Sequence, residues 1–205
     1  MDEEENHEHH QFEELIQGLM DRQYGCCNDF MLPSTIIGLM ANLTGLNKSG
    51  KMNPAGIGNK SNLQRNKKIR GDKINWIEAQ STDPHESAYL KKIGRLMLHL
   101  NKTCFTSLKN SESHYATYEK NDHYKRHIDQ FKTDNGRKFS LVLYLNNDWK
   151  DEDGGTLSLY PKNRAQENIA PLGGRMVFFK SDEMEHEVNA SFTRDRNSIA
   201  GWLKN

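Results

Sequence analysis

The chain has 205 residues, and its 28 basic side chains balance 28 acidic ones, which gives a formal net charge of zero. This balance gives no overall electrostatic reason to expect a nucleic acid or an anionic membrane as a partner. No apolar run is long enough to cross a bilayer, and the acidic residues 1–5 do not resemble a secretory signal, so the sequence predicts a cytoplasmic protein. The cysteines are Cys26, Cys27 and Cys104, an odd number that does not suit a disulfide framework, and we expect them to be small buried side chains.

A single domain is predicted, because this length suits one domain with a substantial core. Residues 1–11 are almost all charged or polar, and we expect them to form a disordered lead to a folded domain at 12–205. His7, His9 and His10 lie in this lead, where we interpret them as part of a flexible polar tail rather than as metal ligands.

Three stretches predict helices that pack against a sheet. Their apolar positions recur at helical spacing: Phe12, Leu15, Ile16 and Leu19 in the first; Ile36, Ile37, Leu39, Met40 and Leu43 in the second; Tyr89, Ile93, Leu96, Met97 and Leu100 in the third. The second helix is expected to start after Pro33, with Ser34 as its N-cap. Residues 44–68 are rich in glycine, lysine and asparagine, which is typical of a long mobile loop that serves either as a lid or only as a solvated connection.

Short strand-like segments separated by turn residues dominate the second half of the chain. We predict strands near 24–30, 69–78, 115–118, 124–129, 138–146, 156–160, 175–179, 186–188 and 196–202, with a turn at 134–136. Residues 138–146 are apolar on both faces, which indicates a central strand covered on both sides. This pattern predicts a mainly β fold with some α-helix, a double-stranded β-helix or cupin-like jelly roll buttressed by N-terminal helices.

The segment 124–129 carries two metal-ligand side chains, His127 and Asp129, separated by one apolar residue. Alternate residues of a strand share a face, so both ligands are expected to point the same way while Ile128 points into a core. His186 is a candidate third ligand, and two histidines with one carboxylate leave coordination positions open, which suits Fe(II). A His-x-Asp tripeptide alone is common and more often lies in a surface strand.

Arg196 follows His186 by ten residues. Its planar guanidinium can bind a carboxylate bidentately, so inside a barrel it would hold the distal end of a dicarboxylic cosubstrate whose other end chelates iron. On its strand Arg196 shares a face with Trp202. A surface salt bridge is the usual alternative for a lone arginine, but it would not explain why this one follows the three candidate ligands in order.

Taken together, these residues resemble the Fe(II)- and 2-oxoglutarate-dependent dioxygenases, and within them the prolyl 4-hydroxylases of the oxygen-sensing, hypoxia-inducible factor type and their bacterial relatives. The resemblance covers essentially the whole chain from Phe12 onward. It is carried by residues 69–78, Tyr124-x-x-His127-x-Asp129, residues 144–149, Gly154-Gly155-x-Leu157, His186-Glu187-Val188, and the ending from Arg196 to Trp202. The spacing from His186 to Arg196 is one residue longer than in some animal members.

The resemblance implies a role for each matched residue and makes 12–205 a single catalytic domain. His127, Asp129 and His186 would ligate Fe(II); Arg196 and Tyr144 would bind the distal carboxylate of 2-oxoglutarate, with Tyr118 beside it; Trp202 and Arg137 would lie near the peptide substrate; and Asp72, with Arg70, would anchor a substrate flap at 44–68. The implied reaction is hydroxylation of a prolyl residue in a protein, which consumes O2 and 2-oxoglutarate and releases succinate and CO2. Ascorbate would be an additional cofactor.

Two protein substrates come with this resemblance, elongation factor Tu for compact bacterial members and the hypoxia-inducible factor for animal ones, and the compact form of this chain favours the former. Related nucleic-acid demethylases carry a second arginine six positions after the first, where this chain has Trp202. Collagen-type prolyl hydroxylases usually have lysine in place of Arg196. Hydroxylation of asparagine or lysine stays open as an alternative, whereas Arg196 disfavours a non-catalytic metal-binding cupin.

Overall fold

The computed structural model describes residues 3–56, 66–130 and 136–205. Within them the helices are α1 (Glu3–Arg22), α2 (Pro33–Lys48) and α3 (Pro84–Cys104). The strands are β1 (Tyr24–Cys27), β2 (Asn53–Pro54), β3 (Lys73–Trp76), β4 (Asn110–Tyr118), β5 (Tyr124–His127), β6 (Arg137–Tyr144), β7 (Leu157–Tyr160), β8 (Glu167–Ile169), β9 (Met176–Lys180), β10 (Glu185–Val188) and β11 (Arg196–Lys204). None of the described helices is both long enough and apolar enough to span a bilayer.

The strands form two antiparallel sheets. A seven-stranded sheet has the order β1-β9-β6-β11-β4-β3-β2, and a four-stranded sheet has the order β5-β10-β7-β8. Neighbouring strands run antiparallel throughout both sheets. Two facing antiparallel sheets with helices packed on the larger one confirm the predicted jelly-roll class.

Strand β6 lies near the centre of the larger sheet and is covered on both faces, as predicted. Leu141 and Leu143 belong to an apolar cluster to which the helices contribute Leu15 and Ile93. The adjacent residue Tyr144 belongs to a second cluster, between the two sheets. The larger sheet therefore separates a helix-covered core from an inter-sheet core, and the alternation of side chains along each strand decides which core a residue enters.

Helix α1 begins at Glu3, so the expectation of a disordered lead is wrong for residues 3–11. This polar segment is held against α3 because Glu8 forms ion pairs with Arg95 at 2.6 Å and with Lys92 at 3.7 Å. Ion pairs between segments far apart in sequence leave no local pattern. A polar composition therefore indicated disorder although the segment folds.

The start of helix α2 differs from the prediction. Pro33 is the first helical residue, where its fixed φ suits the helix and its missing N–H is not needed. Leu32 precedes it in an extended conformation and occupies the N-cap position, so the prediction of Ser34 as N-cap is wrong. Ile37 is 59% exposed and does not pack inward as predicted.

Helix α3 confirms the third predicted helix. Asp83 caps its N-terminus by accepting hydrogen bonds from the backbone N–H groups of His85 and Glu86 at 2.9 and 3.0 Å. Phe105, in the left-handed region at φ 54°, ends it. Its buried face consists of Tyr89, Ile93, Leu96 and Leu100.

The smaller sheet places β5 and β10 side by side, with His127 directly opposite His186. Strand β5 ends at His127, however, so Asp129 lies beyond the strand rather than within it. Ile128 is 37% exposed, and the prediction that it points into a core is wrong. Once the backbone leaves the strand, side chains no longer alternate between faces, which is why the simple strand rule fails here.

The predicted loop at 44–68 begins later than expected, because α2 runs to Lys48 and β2 follows it. Residues 57–65 of that loop lie outside the described residues, as does most of the predicted turn at 134–136.

Strands β2 and β8 were not predicted, because they are two and three residues long and lie at the edges of their sheets. Among the cysteines, Cys27 is buried and Cys26 is half-buried, whereas Cys104 is exposed at the end of α3. The expectation of burial is therefore wrong for Cys104.

Candidate active site

Two histidines and one carboxylate meet where β5 pairs with β10. Asp129 Oδ1 lies 3.5 Å from His127 Nε2 and 3.7 Å from His186 Nε2. One ligand atom of each residue lies within 4.8 Å of the other two, a spacing that allows all three to coordinate one metal ion. The structure thus brings together the three candidate ligands, including the one that lies beyond its strand.

Backbone carbonyls orient both imidazoles. Nδ1 of His127 lies 2.8 Å from the carbonyl oxygen of Lys125, and Nδ1 of His186 lies 3.1 Å from that of Met184. Because a carbonyl oxygen can only accept, Nδ1 carries the proton and Nε2 keeps its lone pair toward Asp129. Burial lowers the pKa of His186 to about 4, so its ring is neutral at pH 7. Two lone pairs and a carboxylate that converge on one point need a cation between them.

Asp129 is ionised and held in place. Burial by itself would raise the pKa of its carboxyl group, but the positive charge that His186 and His127 carry when protonated at low pH, together with a hydrogen bond from Ser140, holds that pKa well below its usual range. Ser140 Oγ donates to Oδ2 at 2.7 Å and lies 2.8 Å from Ser181 Oγ. The serine pair therefore engages Oδ2 and leaves Oδ1 facing the histidines. Sequence analysis did not identify these serines, which reach the site only through the packing of β6 beside β9.

A series of contacts leads from the candidate metal ligands to Gly56, the residue before the segment 57–65. The His127 ring stacks on Tyr124, with centroids 3.6 Å apart and planes 17° apart. The guanidinium carbon of Arg70 lies 4.7 Å from the Tyr124 ring centroid. Asp72 is 1% exposed and accepts two hydrogen bonds from Arg70, at 2.7 and 2.9 Å. Arg70 also donates to the carbonyl of Gly56, the last described residue before the gap.

Arg196, at the start of β11, is 1% exposed. Its Nε donates to the carbonyl of Gly155 at 2.8 Å, and its Nη2 donates to the hydroxyl of Tyr144 at 3.3 Å. Within the described ranges, no carboxylate lies at ion-pair distance from Arg196. A buried guanidinium without a counter-charge is costly, and an anionic ligand would supply that charge.

Aromatic rings and a glycine shape the surroundings of Arg196. Its guanidinium carbon lies 4.9 Å from the Tyr144 ring centroid and 5.3 Å from that of Tyr118. Because the Tyr144 hydroxyl accepts from Arg196, its own proton is available to an anion. Gly155 has φ +64°, and a Cβ there would lie 3.0 Å from the Trp149 ring and 3.4 Å from Arg196 Cδ. Only glycine brings this carbonyl to Arg196 without strain.

One cavity joins the metal ligands to Arg196. The space between these groups is about 520 Å³, a volume that includes the open side of the cavity. Its apolar walls come from both sheets: Ala116, Val142, Leu157, Val188 and Ala200. Of the other predicted site residues, Asp72, Tyr118 and Trp202 line it. Tyr144 and Arg137 are not among its lining residues, but they contact two that are, Arg196 and Trp202.

Trp202 carries an unused hydrogen-bond donor. Its indole Nε1 is buried and has no hydrogen-bond partner among the described residues. The guanidinium carbon of Arg137 lies 3.6 Å from the Trp202 ring centroid, and Arg137 is itself paired with Glu112 at 2.9 Å. The half-exposed ring of Trp76 lies 6.3 Å away and continues the aromatic surface outward. An unpaired buried N–H is costly, so a ligand acceptor here would be favourable.

His114 lines the same cavity, although sequence analysis did not select it. Its ring centroid lies 5.0 Å from that of Trp76 and 5.5 Å from that of Trp202. It precedes Tyr118 by four positions on β4, so the alternation of strand side chains could have placed both on the cavity face.

Replacing His114 with methionine is expected to reduce the loss of stability on acidification. Burial, reinforced by the charge of Arg70, lowers the pKa of His114 to about 4, against about 6.5 in an unfolded chain. Between these two pKa values the unfolded state binds more protons than the folded state. The free energy of unfolding therefore decreases as the pH is lowered, by about 2 kcal/mol between pH 7 and pH 5 for such a group. Urea unfolding of the metal-free protein at both pH values measures this loss. An equal loss in parent and variant would contradict a buried neutral His114.

Known proteins resemble this chain in sequence and in fold. The sequence model of the 2OG-Fe(II) oxygenase superfamily matches residues 113–204. The crystal structure of a Pseudomonas putida prolyl-4-hydroxylase is 30% identical, with a TM-score of 0.88, over 95% of this chain and 100% of that one. The chain belongs to the 2OG-Fe(II) oxygenase superfamily.

Other members of the superfamily are similar over much of the chain. A prolyl hydroxylase from Trichoplax adhaerens, in complex with a hypoxia inducible factor oxygen degradation domain peptide fragment, is 26% identical with a TM-score of 0.87, over 98% of this chain and 92% of that one. Egl nine homolog 1 of Rattus norvegicus is 34% identical over 149 residues, which are 66% of this chain and 42% of that protein. The chain therefore spans less than half the length of this curated relative.

The residues of this 2OG-Fe(II) oxygenase fit the two groups that give the superfamily its name. The converging Nε2 lone pairs and the Asp129 carboxylate suit Fe(II). The uncompensated charge of Arg196, at the other end of the same cavity, suits a dicarboxylic acid.

Proposed function

We propose that this chain is an Fe(II)- and 2-oxoglutarate-dependent prolyl 4-hydroxylase of proteins. The observation that carries the proposal is the presence, in one cavity, of a two-histidine, one-carboxylate cluster and the buried, uncompensated charge of Arg196. A metal-binding protein without a catalytic role has no need of that charge, because desolvating it costs stability. A dicarboxylic acid that reaches from the metal to Arg196 accounts for both features.

His127, Asp129 and His186 would hold Fe(II), while Arg196 and Tyr144 would hold the distal carboxylate of 2-oxoglutarate. When bound, these groups supply the activation of O2, with succinate and CO2 as co-products. The chain itself supplies position. Backbone carbonyls behind both histidines and the serine pair behind Asp129 fix the ligand directions, so no ligand has to reorient when the site is loaded.

The cavity walls would control which bond is attacked. Leu157, Val188 and Ala200 present apolar side chains on the path between the two ends of the cavity. They exclude water and offer no reactive polar group, which confines oxidation to a C–H bond that the substrate brings in.

We propose that a peptide binds beside Trp202. The indole N–H of Trp202 would donate to a peptide carbonyl, and the ring of Trp76 would extend the contact surface. Arg137 would hold the Trp202 ring in place from behind. Asp72, through Arg70, would anchor the base of a flap that covers the substrate.

Elongation factor Tu is our first candidate substrate, on the basis of the resemblance to compact bacterial prolyl hydroxylases. A hypoxia-inducible factor peptide is the second candidate, because the similar protein from Trichoplax adhaerens binds such a fragment. In either candidate, the target proline would have to lie on an accessible segment that can enter the open side of the cavity.

The proposal is tested by incubating the purified chain with Fe(II), 2-oxoglutarate and a cytosolic extract, and in parallel with each candidate substrate. Peptide mass spectrometry is expected to map single-oxygen additions to proline. Amino-acid analysis of the modified peptide then distinguishes 4-hydroxyproline from 3-hydroxyproline.

Reactions without 2-oxoglutarate serve as controls, and we expect no additions in them. Additions confined to asparagine or lysine would overturn the prolyl assignment. If none of these substrates leads to production of succinate, the proposal that the chain is an enzyme of this type would be overturned.

A further inference from the structure

A second group of metal-ligating side chains lies where α1 packs beside α3. His9 and Glu13 of α1 and His99 of α3 each offer one donor atom within 4.8 Å of the other two. Glu13 Oε1 lies 2.6 Å from His99 Nε2, and the ring centroids of His9 and His99 are 5.2 Å apart. His9 and Glu13 are four residues apart, so a helix places them on one face.

Other contacts hold the two helices together at this point. Both carboxylate oxygens of Glu8 accept from Arg95, at 2.6 and 2.7 Å, one turn before His99. Phe12 is buried, and its ring centroid lies 5.6 Å from that of His99. These contacts set the distance between the helices, so an ion would not have to bring the three donors together, and less binding free energy is lost to ordering.

We propose that His9, Glu13 and His99 form a second metal site, one that takes Zn²⁺ in preference to Mg²⁺ or Ca²⁺. Imidazole nitrogens and a carboxylate oxygen are ligands that Zn²⁺ commonly takes in proteins, and solvent can supply the fourth ligand at this exposed position. Mg²⁺ and Ca²⁺ instead prefer oxygen ligands throughout. The bound ion links the polar start of α1 to α3, a contact that otherwise depends on surface ion pairs of small energy.

This α1–α3 site is separate from the active site. Its helices cover the outer face of the larger sheet, where Phe12 and Leu15 join the helix-side core. The active-site ligands open into the cavity between the sheets. Because the two donor sets share no residue, each can be removed without changing the other.

Zn²⁺ titration of the whole chain carrying Asp129→Ala tests the proposal with the active-site cluster disabled. Calorimetry is expected to show one equivalent of bound Zn²⁺, and Tm should rise by roughly 5–10 °C at a hundredfold excess over Kd. Adding His99→Ala should weaken Zn²⁺ binding by at least about tenfold and remove the rise in Tm. His10→Ala is the matched control, and neither quantity should change.

Glu13→Gln provides a second variant in case His99→Ala unfolds the chain, because Glu13 is exposed and its replacement keeps the side-chain shape. It should weaken Zn²⁺ binding in the same direction. Unchanged affinity in Glu13→Gln, or no Zn²⁺ bound by the Asp129→Ala chain, would overturn the site. An equal rise in Tm with Mg²⁺ would overturn its preference for Zn²⁺.

Discussion

Replacing Asp129 with alanine is expected to reduce iron-dependent succinate production to less than about one-hundredth of the parent value. Mutating a residue that only hydrogen-bonds to a metal ligand already lowers metal affinity or activity by about 10–100-fold, and loss of a ligand itself should cost more. Asp129 Oδ1 lies 3.5 Å from His127 Nε2 and 3.7 Å from His186 Nε2, and Oδ2 accepts a hydrogen bond from Ser140. Without the carboxylate, only the two imidazoles would remain, which is too few ligands to retain Fe(II) in a fixed geometry. Succinate release, measured with and without added Fe(II), gives the result directly.

The Asp129→Ala chain should nevertheless fold. Ser140 keeps Ser181 as a hydrogen-bond partner, so the free energy of unfolding should fall by no more than about 1–3 kcal/mol. Glu185→Gln is the matched control, because Glu185 lies beside His186 on β10 but pairs with Arg126 at the surface. It should leave turnover unchanged. Normal succinate production by a folded Asp129→Ala chain would remove Asp129 from the ligand set.

The two ends of the cavity come from different sheets. His127 and His186 are directly opposed on β5 and β10 of the smaller sheet, whereas Arg196 begins β11 of the larger one. A cosubstrate that bridges these ends would contact both sheets at once. The distance between the sheets, set by the apolar side chains between them, therefore determines which dicarboxylic acid fits.

Sequence reasoning correctly predicts the positions of side chains within long strands, where residues alternate between the two faces of the sheet. The alternation of Leu141, Val142 and Leu143 places β6 between two cores, and the same alternation places Arg196 and Trp202 on one face of β11. Both conclusions need only the local rule that neighbouring strand residues face opposite ways. The structure agrees with each of them.

Two of the failures have a different cause, which is contact between segments far apart in sequence. Ser181 supports Asp129 only because β9 lies beside β6. Likewise, Glu8 orders the polar start of α1 through Arg95, which follows it by 87 residues. The failure at Ile128 and Asp129 has a local cause instead, because strand β5 ends at His127. No periodicity in a single sequence carries these facts.

Replacing Arg196 with alanine is expected to weaken 2-oxoglutarate binding by roughly 30-fold to several thousandfold, the equivalent of about 2–5 kcal/mol for truncating one partner of a buried charge pair. The guanidinium is 1% exposed, and its described partners are the Gly155 carbonyl and the Tyr144 hydroxyl, neither of which carries a negative charge. Titration of 2-oxoglutarate into the protein loaded with Mn²⁺ in place of Fe(II), without O2, measures affinity apart from turnover. Metal affinity should be retained, because the ligands lie on the other sheet.

The stability of the metal-free protein separates a binding role for Arg196 from a structural one. A buried charge without a counter-charge costs folding free energy, so Arg196→Ala should lose less stability than removal of a buried ion-pair partner, which costs about 3–5 kcal/mol. Arg194→Ala is the matched control, because this half-buried arginine lies two residues before Arg196, pairs with Asp153 at 3.1 Å, and should leave 2-oxoglutarate affinity unchanged. A large loss of stability with unchanged 2-oxoglutarate affinity in Arg196→Ala would make the arginine a structural residue and leave the cosubstrate without its anchor.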